Sequence, residues 1–113
     1  MANVHVHERD DIVTVLSGIS YELGVPCVYS HFEAGITYPA IAYIGAGQEQ
    51  MQADGTTYWR SNTYQVELYF TKKDEDLEKS IEDAFIAGGW KYSKSDDAYL
   101  EDEGVHVIFY DLT

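Results

Sequence analysis

Between Ser61 and Gly89 the hydrophobic period changes from that of a strand to that of a helix, which constrains the fold more than any other feature. In the first half, polar residues alternate with the apolar residues Tyr64, Val66, Leu68 and Phe70. This alternation predicts a strand with one face in a core and the other in water. The following apolar residues recur at helical spacing and are Leu77, Ile81, Ala84 and Phe85. Because strand and helix are adjacent, we expect their apolar faces to share one core.

The ends of this second helix carry recognisable signals. Asp74 is the predicted N-cap, because its carboxylate can accept a hydrogen bond from a free backbone N–H. Gly88 and Gly89 are expected to end the helix. The charged residues that lie between its apolar positions are Glu78, Lys79, Glu82 and Asp83.

A first amphipathic helix is predicted from about Glu8 to Leu23. Its apolar stripe consists of Ile12, Leu16, Ile19 and Leu23. Gly24 followed by Pro26 ends it. Gly18 lies inside the helix at a cost of about 1 kcal/mol relative to alanine. We therefore expect another backbone to approach closely there.

Two strand-like segments within residues 40–71, on either side of a turn signal, predict one long β-hairpin. A bulge or bend is expected at Gly45-Ala46-Gly47, and Asp54-Gly55 is a strong turn signal. The outer half, Gln48 to Arg60, is rich in glutamine and lies beyond the apolar inner half. Because a two-stranded ribbon of this length is marginal alone, we expect something other than this chain's core to order it.

Shorter strands complete the predicted fold, over Val25–Phe32, around Tyr92, and over Val105–Leu112. The element order α-β-β-β-α-β-β predicts an α+β fold in one domain, residues 1–113. Two helices should pack on one face of an antiparallel or mixed sheet. The exposed sheet edges invite pairing with another chain.

The net charge of −13 comes from 20 acidic and 7 basic residues. Such a chain repels free nucleic acid. Three interpretations of the acidic surface remain open: a solvated surface, a docking face for a basic partner, or a surface that DNA passes without binding.

Cys27 is the one cysteine of the sequence, which excludes an intrachain disulfide and fits a reducing cytoplasm. No apolar run approaches the ~18 residues of a membrane span, so we expect a soluble, unprocessed chain with no membrane partner.

No motif in the sequence predicts a metal or a cofactor. The histidine candidates are His5, His7, His31 and His106, and no third ligand follows from the spacing of His5, His7 and Glu8. Gly45-Ala46-Gly47 does not complete a phosphate-binding loop.

Catalytic candidates are equally weak. Glu67 with Lys72 has the wrong spacing for a metal-dependent nuclease. Ser17 and Cys27 have no neighbouring motif that would activate them. We therefore predict that the protein is not an enzyme.

The outer hairpin carries the candidate interaction residues, which are Gln48, Gln50, Gln52, Tyr58, Trp59 and Arg60. Two compatible interpretations remain open for its aromatic residues. They form a cross-strand cluster that rigidifies the hairpin, or they form an interface hot spot, because Trp, Tyr and Arg dominate such sites.

The run from Tyr64 to Asp74, the Leu-Glu-Lys helix after it and the Gly88-Gly89 stop resemble the tail terminator, or tail-completion, family. These are small head–tail joining proteins of long-tailed phages and of prophages of Gram-positive bacteria. The segments 90–95, 99–104 and 105–111 are similar too, as is the Tyr-Pro-x-Ile-x-Tyr-Ile-Gly run from Tyr38. The resemblance extends from about Tyr38 to the end of the chain.

This resemblance implies a structural virion protein of the phage neck. Members form a ring, typically hexameric, that caps the tail tube and joins it to the head. The implied partners are further copies of the chain, a tail-tube protein and a head-closure protein, with DNA passing through without sequence-specific binding. The implied location is the virion, after assembly in the bacterial host cytoplasm. The resemblance implies no catalytic residue.

Two alternatives come from other functional classes. An acidic DNA mimic that inhibits a host defence protein would need carboxylates spaced like phosphates on one face, whereas here the acids are dispersed over several elements. A small metal-dependent enzyme would need clustered carboxylates that bind a divalent ion.

Overall fold

A computed structural model describes residues 8–53 and 56–113, with the backbone alone for residues 51–53 and 56–59. Two helices and six strands follow in the order α1 Arg9–Leu23, β1 Cys27–Tyr29, β2 Ala40–Ala53, β3 Thr56–Phe70, α2 Glu75–Ala87, β4 Tyr92–Lys94, β5 Ala98–Leu100 and β6 Val105–Leu112. The predicted α+β fold is confirmed, and the chain adds one short strand to the five that were predicted. None of the described helices has the length and apolar character that a membrane span requires.

The strands form one mixed sheet in the order β1-β2-β3-β6-β4, with β5 also paired to β6. β1 runs parallel to β2, and the other pairs are antiparallel. β6 is central, because β3 lies on one side of it and the two short strands share the other. β1 is shorter than the predicted 25–32 strand, since Ser30 has a left-handed φ of 70° that turns the chain away from β2.

Both helices pack on one face of this sheet. Ile12, Leu16 and Ile19 of α1 are buried there with Ile81 and Phe85 of α2. The strand side chains beneath them include Tyr64, Val66, Leu68, Phe70, Ile108, Tyr110 and Leu112. The shared core predicted for β3 and α2 is thus confirmed, and removal of its apolar surface from water drives the packing.

The helix ends follow the sequence signals. At α1, the backbone N–H of Glu8 donates to the Asp11 carboxylate at 2.8 Å, and Gly24 ends the helix with a left-handed φ of 68°. At α2, the Asp74 carboxylate accepts from the backbone N–H of Leu77 at 3.0 Å. Each cap satisfies backbone groups that the helix itself leaves unpaired.

The close approach expected at Gly18 lies at Gly88 instead. A Cβ at Gly18 would have no described atom within 4 Å outside its own helix, whereas a Cβ at Gly88 would overlap Cγ2 of Val15. Because φ at Gly88 is −80°, the constraint there is space rather than backbone conformation.

Alanine at these two positions should therefore change stability in opposite directions. Gly18→Ala should raise the free energy of unfolding by about 0.5–1 kcal/mol, because it removes backbone entropy from the unfolded chain. Gly88→Ala should lower it by about 1–3 kcal/mol through overpacking against α1. Urea denaturation of both variants checks this, and changes of the same sign would contradict it.

Candidate interaction surface

The hairpin of β2 and β3 extends well beyond the rest of the sheet. The two strands pair from Ala40 with Tyr69 to Ala53 with Thr56. β1 pairs with residues 41–43 of β2, and β6 pairs with residues 64–70 of β3. Among the described residues, the strands beyond those points pair with each other alone. We call this outer part, residues 44–63, the ribbon.

The ribbon lies outside the hydrophobic core. Every described residue of the buried cluster lies either before Ile44 or after Thr63 in the chain. The molecule is 51 Å long and 27 by 24 Å across. Residues 44–50 and Arg60 are exposed, and burial begins again towards the base of β3 at Ser61. The outer edges of both strands therefore present backbone groups that can pair with another chain.

Two register shifts interrupt the ribbon. One between Gly45 and Gly47 leaves Ala46 as an extra residue in β2, as predicted, and Gly47 has a φ of 138°. A second shift places Gln52 opposite Thr57, directly after Met51 opposite Trp59. Such bulges bend a strand, strengthen its twist and re-aim its side chains.

The structure brings three of the predicted interaction residues together. Gln48 lies opposite Asn62, and Gln50 opposite Arg60. The Gln48 side-chain amide donates to Asn62 Oδ1 at 3.1 Å, and that of Gln50 donates to Gln48 Oε1 at 3.2 Å. Gln48, Gln50 and Arg60 thus belong to one exposed polar row.

For the other predicted residues, Gln52, Tyr58 and Trp59, the structure describes the backbone alone. The backbone register places Gln52 opposite Thr57 and Trp59 opposite Met51, with Tyr58 at the second register shift. Their aromatic contacts, and the Asp54-Gly55 turn, fall outside the described residues. The hot spot therefore stays a prediction.

The ribbon is almost neutral in a strongly acidic chain. Its charged residues are Glu49, Asp54 and Arg60, whereas the whole chain has a net charge of −13. Charged residues are depleted at the centres of protein interfaces, because their desolvation is costly. A neutral ribbon can thus approach an acidic neighbour with little repulsion.

A cavity lies on the sheet face opposite the helices. It has a volume of about 510 Å³ between the loop 30–38 and the sheet. Its walls include Phe32, Tyr38 and Tyr69, with the carboxylates of Glu33 and Glu103. We call these five residues the aromatic pocket. The Phe32 ring centroid lies 5.0 Å from that of Tyr69 and 6.2 Å from that of Tyr38, with interplanar angles of 79° and 89°.

The pocket has a negative electrostatic environment. Burial raises the pKa of Glu67, and a hydrogen bond with Tyr69 partly opposes the rise. Burial, with the negative charges of Glu67 and Glu103, raises the pKa of Tyr69 to about 12. Tyr69 is therefore a neutral hydrogen-bond donor at neutral pH, beside carboxylates.

A separate charged network joins α2 to the sheet. Glu78 lies between the apolar positions of α2 in the sequence, yet its side chain is only 5% exposed. Lys73 Nζ lies 2.9 Å from Glu78 Oε2, and Lys94 Nζ lies 3.0 Å from Glu78 Oε1. Lys73 also binds Asp97 at 3.0 Å. The two lysines compensate the charge of the buried carboxylate. Without them, burial of this charge would have a large desolvation cost.

Glu82 extends the same network into the core. Its carboxylate accepts hydrogen bonds from the hydroxyl groups of Tyr110 at 2.8 Å and Tyr92 at 3.1 Å, and from Lys94 at 2.9 Å. Partial burial would raise the pKa of Glu82, but these three donors outweigh it and the pKa is lowered. Because the charged groups of this network pair with one another, the network stabilises the contact between α2 and the sheet.

Neither a metal centre nor an activated nucleophile emerges from the described residues. No group of three or more His, Cys, Asp or Glu among them could hold a metal ion. His106 stacks on Phe70 at 5.3 Å, and His5 and His7 lie outside the described residues. Burial raises the pKa of the Cys27 thiol to about 11, which keeps it protonated and unreactive.

Comparison with known proteins gave no further assignment. Neither the protein-family models nor the curated proteins contain a match to this chain. The resemblance to tail terminators therefore stays a prediction, and so do the absence of enzymatic activity and the two alternative functions.

Proposed function

We propose that this chain is a structural protein of the phage neck that assembles through its ribbon. It caps the tail tube and joins it to the head as a ring, hexameric as in the family that the sequence resembles. The ribbon carries this proposal: two long strands continue past the core with almost no net charge, and in the described residues no third strand pairs with them there. Exposed strand edges bind extended segments of other chains through backbone hydrogen bonds.

The contact that closes the ring is heterologous. The ribbon of one copy contacts a different surface on the next copy, and such interfaces form rings when the rotation closes. The tail-tube protein and the head-closure protein bind the two open ends of the ring in the virion. The net charge of −13 keeps DNA phosphates from adhering during passage.

The aromatic pair of the ribbon provides the test. Tyr58→Ala combined with Trp59→Ala should leave the chain folded but abolish ring formation or tail attachment, because large aromatic residues dominate interface energies. Negative-stain microscopy of the protein, alone and with tail tubes, measures assembly, and circular dichroism measures folding.

A matched control removes two exposed apolar side chains from the helices instead. Tyr21 is 91% exposed and Ile86 is 60% exposed, so Tyr21→Ala with Ile86→Ala removes exposed apolar surface outside the ribbon. The control variant should assemble like the wild type. Unchanged assembly in the Tyr58/Trp59 variant would refute the proposal.

A further inference from the structure

The aromatic pocket has walls suited to a flat cation. Phe32 lies between Tyr38 and Tyr69 and is nearly perpendicular to both. Ring faces attract cations that come within about 6 Å of their centroids. All three aromatic residues are half-buried, so they line the cavity while remaining reachable from solvent.

The carboxylates around the pocket have no lysine or arginine partner among the described residues. The ion pairs of the described residues involve Lys73 and Lys94, which contact α2 on the helix side of the sheet. No described ion pair involves Glu33, Glu67 or Glu103. Glu33 and Glu103 are exposed at the cavity, and Glu67 contacts Tyr69 from the sheet. The cavity therefore combines aromatic walls with carboxylates that no described lysine or arginine pairs with, and His31 also lines it.

We propose that the aromatic pocket binds the guanidinium group of an arginine presented by a partner protein. Arginine fits better than lysine, because its planar group stacks on aromatic rings, is weakly hydrated and donates two parallel hydrogen bonds to a carboxylate. This inference rests on the pocket alone and not on the ribbon or the ring.

Nuclear magnetic resonance of the full-length protein tests the pocket with a defined probe. Titration with the peptide acetyl-Gly-Arg-Gly-amide should give saturable shifts at Phe32, Tyr38 and Tyr69, with a dissociation constant on the order of millimolar. The same peptide with citrulline keeps the shape and loses the charge, and it should bind at least about fivefold more weakly. The lysine peptide should also bind more weakly. Equal binding of either control peptide would overturn the assignment.

Two variants with a matched control separate the pocket from the general acidity of the chain. Phe32→Leu and Glu103→Gln should each weaken binding of the arginine peptide about threefold to tenfold. Glu22→Gln removes the same charge from an exposed position on α1, and it should change binding by less than about twofold. Equal effects of Glu22→Gln and Glu103→Gln, or shifts spread over the whole surface, would refute a defined site.

The Tyr58/Trp59 double variant shows whether peptide binding at the pocket and assembly through the ribbon are independent of each other. The Tyr58/Trp59 double variant should bind the arginine peptide like the wild type, because the backbone of both residues lies in the ribbon, whereas the described lining of the cavity comes from the loop 30–38, Ala42, Tyr69 and Glu103. Loss of peptide binding in that variant would contradict an independent pocket. Loss of assembly with retained peptide binding supports both inferences.

Discussion

Replacing residues 46–63 by Asn-Gly should leave a folded body that no longer assembles. Gly45 and Tyr64 are paired across the hairpin, and Asn-Gly closes such a pair with a two-residue turn of the favoured twist. No described residue of the buried cluster lies within the deleted segment. The free energy of unfolding should therefore change by less than about 1 kcal/mol, since shortening a loop has a small entropic effect.

Light scattering and negative-stain microscopy measure the loss of assembly, and urea denaturation measures the retained fold. A variant in which a flexible Gly-Ser segment of equal length replaces residues 46–63 is the matched control. It keeps the length but not the strands, and it should also be folded and unable to assemble. Rings formed by either variant would show that the ribbon is not the assembly element.

Glu82→Ala should have the largest effect on stability among substitutions in the charged network. The Tyr110 side chain is fully buried, and its hydroxyl donates to Glu82 at 2.8 Å. Without the carboxylate, this buried donor loses its partner, and Lys94 and Tyr92 each lose one contact. We expect the free energy of unfolding to fall by about 2–3 kcal/mol in urea denaturation.

The effect should depend on pH in one direction. The pKa of Glu82 is lowered in the folded protein relative to its ordinary value of 4.5. A carboxylate of this kind stabilises the fold fully above its unfolded pKa, and the contribution is lost as the pH falls through the lowered folded pKa. The stability gap between wild type and Glu82→Ala should thus be constant from neutral pH to about pH 5 and shrink in more acidic solution.

A double-mutant cycle with Tyr110→Phe isolates the hydrogen bond. Tyr110→Phe alone should cost about 1 kcal/mol, because Glu82 keeps its contacts with Lys94 and Tyr92. In the Glu82→Ala background the same change should cost little or nothing, since the hydroxyl has already lost its acceptor. The assigned role of Glu82 would be contradicted if the two substitutions changed the free energy of unfolding additively and if the stability difference between wild type and Glu82→Ala did not change with pH.

Local signals in the sequence predicted the elements well. The alternation of Tyr64, Val66, Leu68 and Phe70 predicted β3, and Asp74 and Gly88 predicted the ends of α2, because strand period and helix caps depend on near neighbours. The bulge at Gly45–Gly47 was predicted for the same reason. The burial of Glu78 did not follow from the sequence, because the lysines that compensate it, Lys73 and Lys94, lie on different segments.

No local pattern of residues indicated the aromatic pocket. Phe32 and Tyr38 come from one loop, Tyr69 from β3, and Glu103 from the turn before β6. No spacing rule connects residues so far apart in the chain. The parallel pairing of β1 with β2 and the position of β6 beside β3 bring them to one cavity.

The strand–helix unit between Ser61 and Gly89 and the long hairpin before it were determined by the sequence alone. Hydrophobic period, capping residues and turn residues act over a few positions, so they can be interpreted without a fold. The tertiary structure decided where the hairpin leaves the core, which carboxylates are buried and which remain open to a partner. Those properties depend on distant segments meeting, and a pattern of neighbouring residues does not encode which segments meet.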